Sequence, residues 1–121
     1  MPKCVLLVDD SVLVRGITRK FLQNQTGLEV CGEAADGVDA LEKARDLKPD
    51  LIVLDLSMPR MNGLKAAREL RAMMARVPII LFTLYADEVR PEDATAAGVN
   101  AIVSKEDLLG LQQNIENLLV A

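Results

Sequence analysis

The chain contains no histidine and no tryptophan, and its aromatic residues are two phenylalanines and one tyrosine. Without histidine it has no histidine-based catalytic triad, histidine metal ligand or internal phosphohistidine. Two cysteines do not make a disulfide framework, and we expect Cys4 and Cys31 to be buried thiols in a reduced, cytoplasmic protein. No apolar run approaches the ~20 residues of a membrane-spanning helix, and residues 4–8 are too few for a signal peptide.

Acidic residues exceed basic ones, which gives a net charge of −4 and an isoelectric point near 4.8. This charge argues against direct nucleic acid binding by this segment. The composition is 50% hydrophobic and 26% charged, as is typical of a globular chain and not of a disordered one. We expect residues 1–121 to form a single domain, with a core that buries about two-thirds of the unfolded surface.

Five short apolar runs alternate with segments of helical periodicity. The runs cover residues 5–8, 30–34, 51–54, 79–82 and 101–103. None alternates between polar and apolar residues, which predicts strands buried on both faces, as in a parallel sheet. The helical segments begin after Ser11, near residues 37 and 63, at Pro91 and near residue 107. Five consecutive βα units predict one parallel sheet with helices on both faces.

Acidic residues end two of the predicted strands. Asp9 and Asp10 close the first strand, and Asp55 closes the third. Ligands of such folds bind beyond the carboxyl ends of the strands, so we expect the three carboxylates to meet in one crevice. Two of them ~4 Å apart would repel by about 4 kcal/mol at an effective dielectric of about 20. All-oxygen ligands that need a cation favour Mg²⁺, whereas turn formation or helix capping explains a single aspartate better than three.

Two further polar residues lie at the ends of predicted strands. Thr83 immediately follows the fourth strand, and Lys105 ends the fifth. Both would project into the same crevice and place a hydroxyl group and an ammonium group beside the carboxylates. Such a set can hold an anion with several oxygens, and phosphate is the obvious candidate.

Four motifs in this order resemble the receiver domain of two-component response regulators. They are VLLVDDS at residues 5–11, LIVLDLSMPRMNG at 51–63, Thr83 after PIILF, and the SK pair at 104–105. The resemblance covers residues 4–120. It implies a flavodoxin-like (CheY-like) α/β fold, which is a doubly wound three-layer sandwich with a five-stranded parallel sheet in the order 2-1-3-4-5.

The resemblance also implies a phosphoacceptor and a metal site. Asp55 would accept a phosphoryl group from the histidine of a sensor kinase or phosphotransfer protein. Asp10 and Asp55 would bind Mg²⁺ through their side chains. Ser57 would bind the metal through its backbone carbonyl, and Asp9 would act largely through water.

The resemblance implies two further roles. Lys105 would pair with a phosphate oxygen, and Thr83 would move its hydroxyl towards the phosphoryl group. Ile102 departs from the family pattern, because many receivers have there an aromatic residue that changes rotamer on activation. Glu106 stands where proline often follows the lysine. A non-proline cis bond costs about 3 kcal/mol, so we expect a trans Lys105–Glu106 bond. Tyr85 is expected to cover Asp55 and to slow hydrolysis of the phosphorylated form; the alternative is a tyrosine on the surface of a mobile loop.

These implications predict a phosphorylation-controlled signalling domain and not a turnover enzyme. Its other partner would be a downstream effector protein or a C-terminal output domain, and no membrane binding is expected. Glu106 after the lysine occurs in regulators whose second half binds DNA, so a receiver from a transcriptional regulator is the alternative to a stand-alone protein. Leu109 lies off the apolar stripe of the last helix. This indicates either a face for a partner or a phosphorylation-dependent dimer, or packing at the helix end.

A Mg²⁺-dependent phosphatase or phosphotransferase with an aspartate nucleophile is the rival from another class. Those enzymes have D-x-D at the nucleophile, whereas Ser57 lies two residues after Asp55. A flavin-binding module is a weaker rival, because the first strand leads into Asp9, Asp10 and Ser11 and not into a phosphate cradle rich in glycine, serine and threonine.

Overall fold

Five parallel strands form one sheet in the computed structural model, which describes residues 2–25 and 27–120. They are β1 (Lys3–Val8), β2 (Leu28–Ala34), β3 (Leu51–Leu54), β4 (Ile79–Thr83) and β5 (Ala101–Ser104). Their order in the sheet is β2-β1-β3-β4-β5, which confirms the expected topology. Thr83 is the last residue of β4, one position inside the strand that it was expected to follow.

Five α-helices connect the strands and cover the sheet. They are α1 (Val12–Gln23), α2 (Gly37–Leu47), α3 (Gly63–Met73), α4 (Pro91–Ala96) and α5 (Leu108–Leu119). Side chains of the preceding residues cap four of them by accepting a backbone hydrogen bond; these residues are Ser11, Asp36, Asn62 and Asp107. A 3₁₀ helix at Ala86–Glu88 was not predicted. None of the described helices is long and apolar enough to cross a membrane.

Two apolar layers lie on opposite faces of the sheet. One includes Leu22 of α1 and Leu111 of α5, and the other includes Leu70 of α3 and the small residues of α2 and α4. Strands β3 and β4 are buried along their whole length, as expected of a parallel sheet. Strand β2 is only partly buried, because it pairs with β1 alone. Strand β5, at the other edge, is likewise only partly buried. The prediction of strands buried on both faces therefore holds at the centre of the sheet and fails at both edges.

The expectation of two free thiols is wrong, because a disulfide joins Cys4 of β1 to Cys31 of β2. The two strands are neighbours, as predicted, and their register shifts between Val5 and Leu6. Cys31 therefore has no pairing partner in β1, and its Cα lies 5.3 Å from the Cα of Cys4. That separation is within the usual range for a disulfide.

Gly63 sets how closely α3 approaches the end of β3. Its N–H donates a hydrogen bond of 2.7 Å to the carbonyl oxygen of Leu56. A Cβ atom at this position would overlap the backbone carbonyl of Asp55 and lie 2.8 Å from Leu56 Cα. Backbone atoms cannot rotate away as a side chain can. The position therefore requires glycine, and the close contact fixes the backbone around Asp55.

Replacing Gly63 by alanine will destabilise the fold. We expect Gly63→Ala to lower the free energy of unfolding by about 2–3 kcal/mol, as overpacking does in a dense interior. Gly16→Ala in α1 is the matched control, since its Cβ would meet only the end of the Arg19 side chain at 3.9 Å. Removing a helical glycine there should stabilise the protein by about 0.5–1 kcal/mol. Urea denaturation measures both changes, and equal effects would contradict the packing argument.

Candidate functional site

Three carboxylates converge at the carboxyl edge of the sheet. Asp9 and Asp10 follow β1 and Asp55 follows β3, and these strands are neighbours with Val8 opposite Leu54. One carboxylate oxygen from each of the three aspartates lies within 4.8 Å of the others. Asp9 and Asp55 are buried, whereas Asp10 is exposed. The structure thus places the three predicted residues in one cluster with a single exposed member.

Lys105 lies between the two buried carboxylates. Its Nζ atom is 2.6 Å from Asp9 Oδ2 and 3.2 Å from Asp55 Oδ1, and only 10% of its side chain is exposed. The residue directly follows β5, and its backbone N–H donates to the carbonyl of Thr83 on the neighbouring strand. One ammonium group therefore bridges acids that come from β1 and β3.

The open crevice above the cluster has a volume of about 320 Å³. Ser57 and Tyr85 line it together with the aspartates and Lys105, and Tyr85 is 49% exposed. Thr83 does not line this crevice. Its side chain is fully buried, and its hydroxyl accepts a hydrogen bond of 3.0 Å from the N–H of Tyr85.

The two positions that depart from the family pattern have ordinary geometry. Ile102 on β5 is partly buried against the core on the side of α4. None of the described peptide bonds is cis, so the Lys105–Glu106 bond is trans as expected.

Burial raises the pKa of Asp55, and the neighbouring Asp9 carboxylate raises it further. Lys105 opposes both effects through its charge and its hydrogen bond. A buried acid with a raised pKa beside a second carboxylate is a site at which a cation is favoured. The three carboxylates offer oxygen ligands, which fit Mg²⁺.

The contacts of two arginines were not predicted from the sequence. Arg15 of α1 donates to the backbone carbonyl of Asp9 at 2.5 Å. Arg60, in the loop after β3, forms an ion pair of 2.7 Å with Asp36, the residue that caps α2. The sequence contained one signal for Arg15: it lies four residues after the helix cap Ser11, on the first turn of α1.

Comparison with known proteins identifies the family. Residues 5–116 match the model of the response regulator receiver domain, and the chain belongs to that family. It is 36% identical over 105 residues to the response regulator protein VraR of Staphylococcus saprophyticus, which covers 87% of this chain and 50% of that protein. The chain spans about a quarter to a half of the length of the curated relatives that it matches.

Solved structures support the same assignment. Response regulator TrrA from Thermotoga maritima, in complex with Mg²⁺ and a beryllium fluoride, is 31% identical with a TM-score of 0.87, over 97% of this chain and 99% of that chain. A LuxR-family two-component response regulator from Aurantimonas sp. SI85-9A1 is 31% identical with a TM-score of 0.90, over 98% of this chain and 85% of that chain. The chain is thus a receiver domain of two-component signalling with a flavodoxin-like fold.

Removing the Asp55 carboxylate will stabilise the metal-free protein. Because its pKa is raised on folding, the folded state binds the proton more tightly than the unfolded state does. Stability therefore falls as pH rises from the ordinary aspartate pKa through the raised one. At pH 7 without divalent cations, Asp55→Asn should have a melting temperature a few degrees above that of the wild type.

Addition of Mg²⁺ should raise the melting temperature of the wild type more than that of Asp55→Asn, because the metal offsets a charge that the variant lacks. Asp46→Asn is the control for loss of one acidic group, since Asp46 is exposed on α2 and does not line the crevice. An Asp55→Asn protein that melts below the wild type without metal would contradict the assigned electrostatics.

Proposed function

We propose that the chain accepts a phosphoryl group on Asp55 in a Mg²⁺-dependent reaction, from the histidine of a sensor kinase or phosphotransfer protein. The observation that carries this proposal is the Lys105 ammonium held between Asp9 and Asp55 beside an open crevice. Phosphorylation would then alter the face that binds partners. We further propose that residues 1–121 act as one receiver domain and that the protein is cytoplasmic. The location rests on the family, since the paired cysteines give it no support.

The reaction forms a bond between an Asp55 carboxylate oxygen and phosphorus while the bond from phosphorus to the histidine nitrogen breaks, and the imidazole keeps the electron pair. Lys105 already contacts Asp55 Oδ1, so its charge is close to the phosphoryl oxygens as negative charge spreads over them. Asp10, Asp55 and the backbone carbonyl of Ser57 would hold Mg²⁺, and Asp9 would act through water. The bound metal would supply further positive charge beside those oxygens.

Coupling to the partner face is proposed to start at Thr83. Its hydroxyl is buried and accepts from Tyr85 N–H, so any movement towards Asp55 acts on the loop that follows β4. Because Ile102 offers no aromatic ring, this loop has to carry the change. Leu109 is 68% exposed on α5, which supports a face of α4, β5 and α5 for an effector, an output domain or a second copy.

A signalling role without turnover of small substrates is the favoured proposal over an aspartate-nucleophile phosphatase. Ser57, two residues after Asp55, has no carboxyl group to act as the general acid of such an enzyme. A second candidate is the receiver of a DNA-binding transcriptional regulator, which is favoured by Glu106 after Lys105 and by the similarity to a LuxR-family regulator.

Acetyl phosphate tests the phosphoacceptor. With Mg²⁺ present, the wild type should gain one phosphoryl mass by intact-mass spectrometry, and Asp55→Asn should gain none. Ser57→Ala is the matched control, because its proposed ligand is a backbone carbonyl that alanine retains, and it should be labelled. Labelling of Asp55→Asn, or of the wild type in excess chelator, would rule out the proposed reaction. Steady release of product from p-nitrophenyl phosphate would favour the phosphatase instead.

Tyr85 is predicted to slow loss of the phosphoryl group. Its half-exposed ring lines the crevice that contains Asp55, so it limits the approach of water. Tyr85→Ala should lose the label several-fold faster than the wild type. Tyr85→Phe keeps the ring and should retain the wild-type rate, which separates steric cover from hydrogen bonding by the phenol. The measurement is the decay of phosphorylated mass after removal of acetyl phosphate, and an unchanged half-life for Tyr85→Ala would show that the ring gives no protection.

A further inference from the structure

Arg15 of α1 contacts the backbone of Asp9, one of the three clustered aspartates. Its Nη1 atom donates to the backbone carbonyl oxygen of Asp9 at 2.5 Å, and its Nε atom donates to Glu33 of β2 at 3.1 Å. Only 16% of the Arg15 side chain is exposed. It also lines a small cavity behind the crevice, together with Asp9 and Asp55. Arg15 thus contacts the backbone of one site residue without entering the open crevice.

The backbone N–H, the backbone carbonyl and both carboxylate oxygens of Asp9 each have a partner within the protein. Its backbone N–H donates to the carbonyl of Ala34 at 3.0 Å, and its backbone carbonyl accepts from Arg15. Its Oδ1 atom accepts from the N–H of Ser11 at 2.9 Å, and its Oδ2 atom contacts Lys105 at 2.6 Å. Asp9 is therefore held by contacts to β2, to α1 and its capping residue Ser11, and to Lys105 after β5. Among the described contacts, Arg15 is the only side chain that binds its carbonyl oxygen.

Glu33 in turn holds Arg15 in place. Burial alone would raise the pKa of Glu33, but hydrogen bonds from Arg19 and Arg15 outweigh it and lower the pKa below its ordinary value. Glu33 is therefore ionised at neutral pH. Arg19 lies one helical turn beyond Arg15 and binds the other carboxylate oxygen of Glu33 without contacting Asp9. The two arginines share one acid, and one of them reaches the site.

We infer that Arg15 is a positioning residue for the metal site: it holds the backbone of Asp9 so that the Asp9 carboxylate faces Asp10 and Asp55 before any cation binds. This inference rests on the proposed function, in which those carboxylates hold Mg²⁺. Partners that orient a ligand from behind are commonly worth ten-fold or more in metal affinity. A directional hydrogen bond is needed for this role, and positive charge alone does not provide it.

The test compares Arg15→Met with Arg19→Met by calorimetric titration with Mg²⁺ in the absence of phosphodonor. Each variant removes one positive charge from α1 and one ion pair to Glu33, but only Arg15→Met removes the contact to Asp9. We expect the dissociation constant for Mg²⁺ to rise about ten-fold in Arg15→Met and to stay within about two-fold in Arg19→Met. Arg15→Lys should fall between them, because a single ammonium cannot hold Glu33 and the Asp9 carbonyl in the same geometry.

Thermal unfolding without Mg²⁺ separates positioning from a general structural role. Similar melting temperatures for Arg15→Met and Arg19→Met, with a changed metal affinity in the first alone, support the inference. Equal loss of Mg²⁺ affinity in both variants would overturn the inference, as would an unchanged or tighter affinity in Arg15→Met. A tighter affinity would mean that Arg15 acts only as a positive charge that repels the cation. If Arg15→Met does not fold, Arg15→Lys and Glu33→Gln decide the question by the same titration, with weaker binding expected in each.

Failure of the inference and failure of the proposed function give different results. A wild-type protein that binds no Mg²⁺ and takes no phosphoryl group from acetyl phosphate would contradict the proposed function itself. A wild-type protein that does both, with Arg15→Met indistinguishable from it, would contradict only the role of Arg15.

Discussion

Mutual repulsion among three aspartates is the constraint on which the rest of this structure depends. The sheet order puts β1 beside β3, which forces Asp9, Asp10 and Asp55 together at one edge. The fold tolerates this because Lys105 is placed between the two buried acids and the third remains in water. The remaining negative charge favours binding of a cation. Placing these carboxylates together thus costs stability, as is common for binding sites.

Much of the fold could be predicted because its signals are local. Helix starts follow from capping side chains such as Ser11 and from Pro91 at a first turn, and the buried centre of the sheet follows from uninterrupted apolar runs. The errors arise for features that depend on how the strands pair with one another. Edge exposure of β2 depends on what lies beside it, and the Cys4–Cys31 disulfide depends on a register shift that no run of residues reveals.

The candidate site likewise has a part that could be predicted from the sequence and a part that could not. Asp9, Asp10 and Asp55 could be predicted to meet because strand ends share one edge in a parallel sheet. The direction of a side chain is harder to predict. Thr83 ends its strand at the expected place, yet its hydroxyl is turned to the N–H of Tyr85 and away from the open crevice. Arg15 was missed for the same reason, since its function follows from an arginine side chain that folds back over the helix start.

One consequence of the composition concerns how this domain can be observed. Tyr85 is the single tyrosine of a chain that has no tryptophan, and it lies half-exposed on the wall of the crevice. Ultraviolet emission from the domain therefore comes almost entirely from one ring beside Asp55 and Lys105. The chain thus contains an intrinsic fluorophore on the wall of the crevice, without any attached dye.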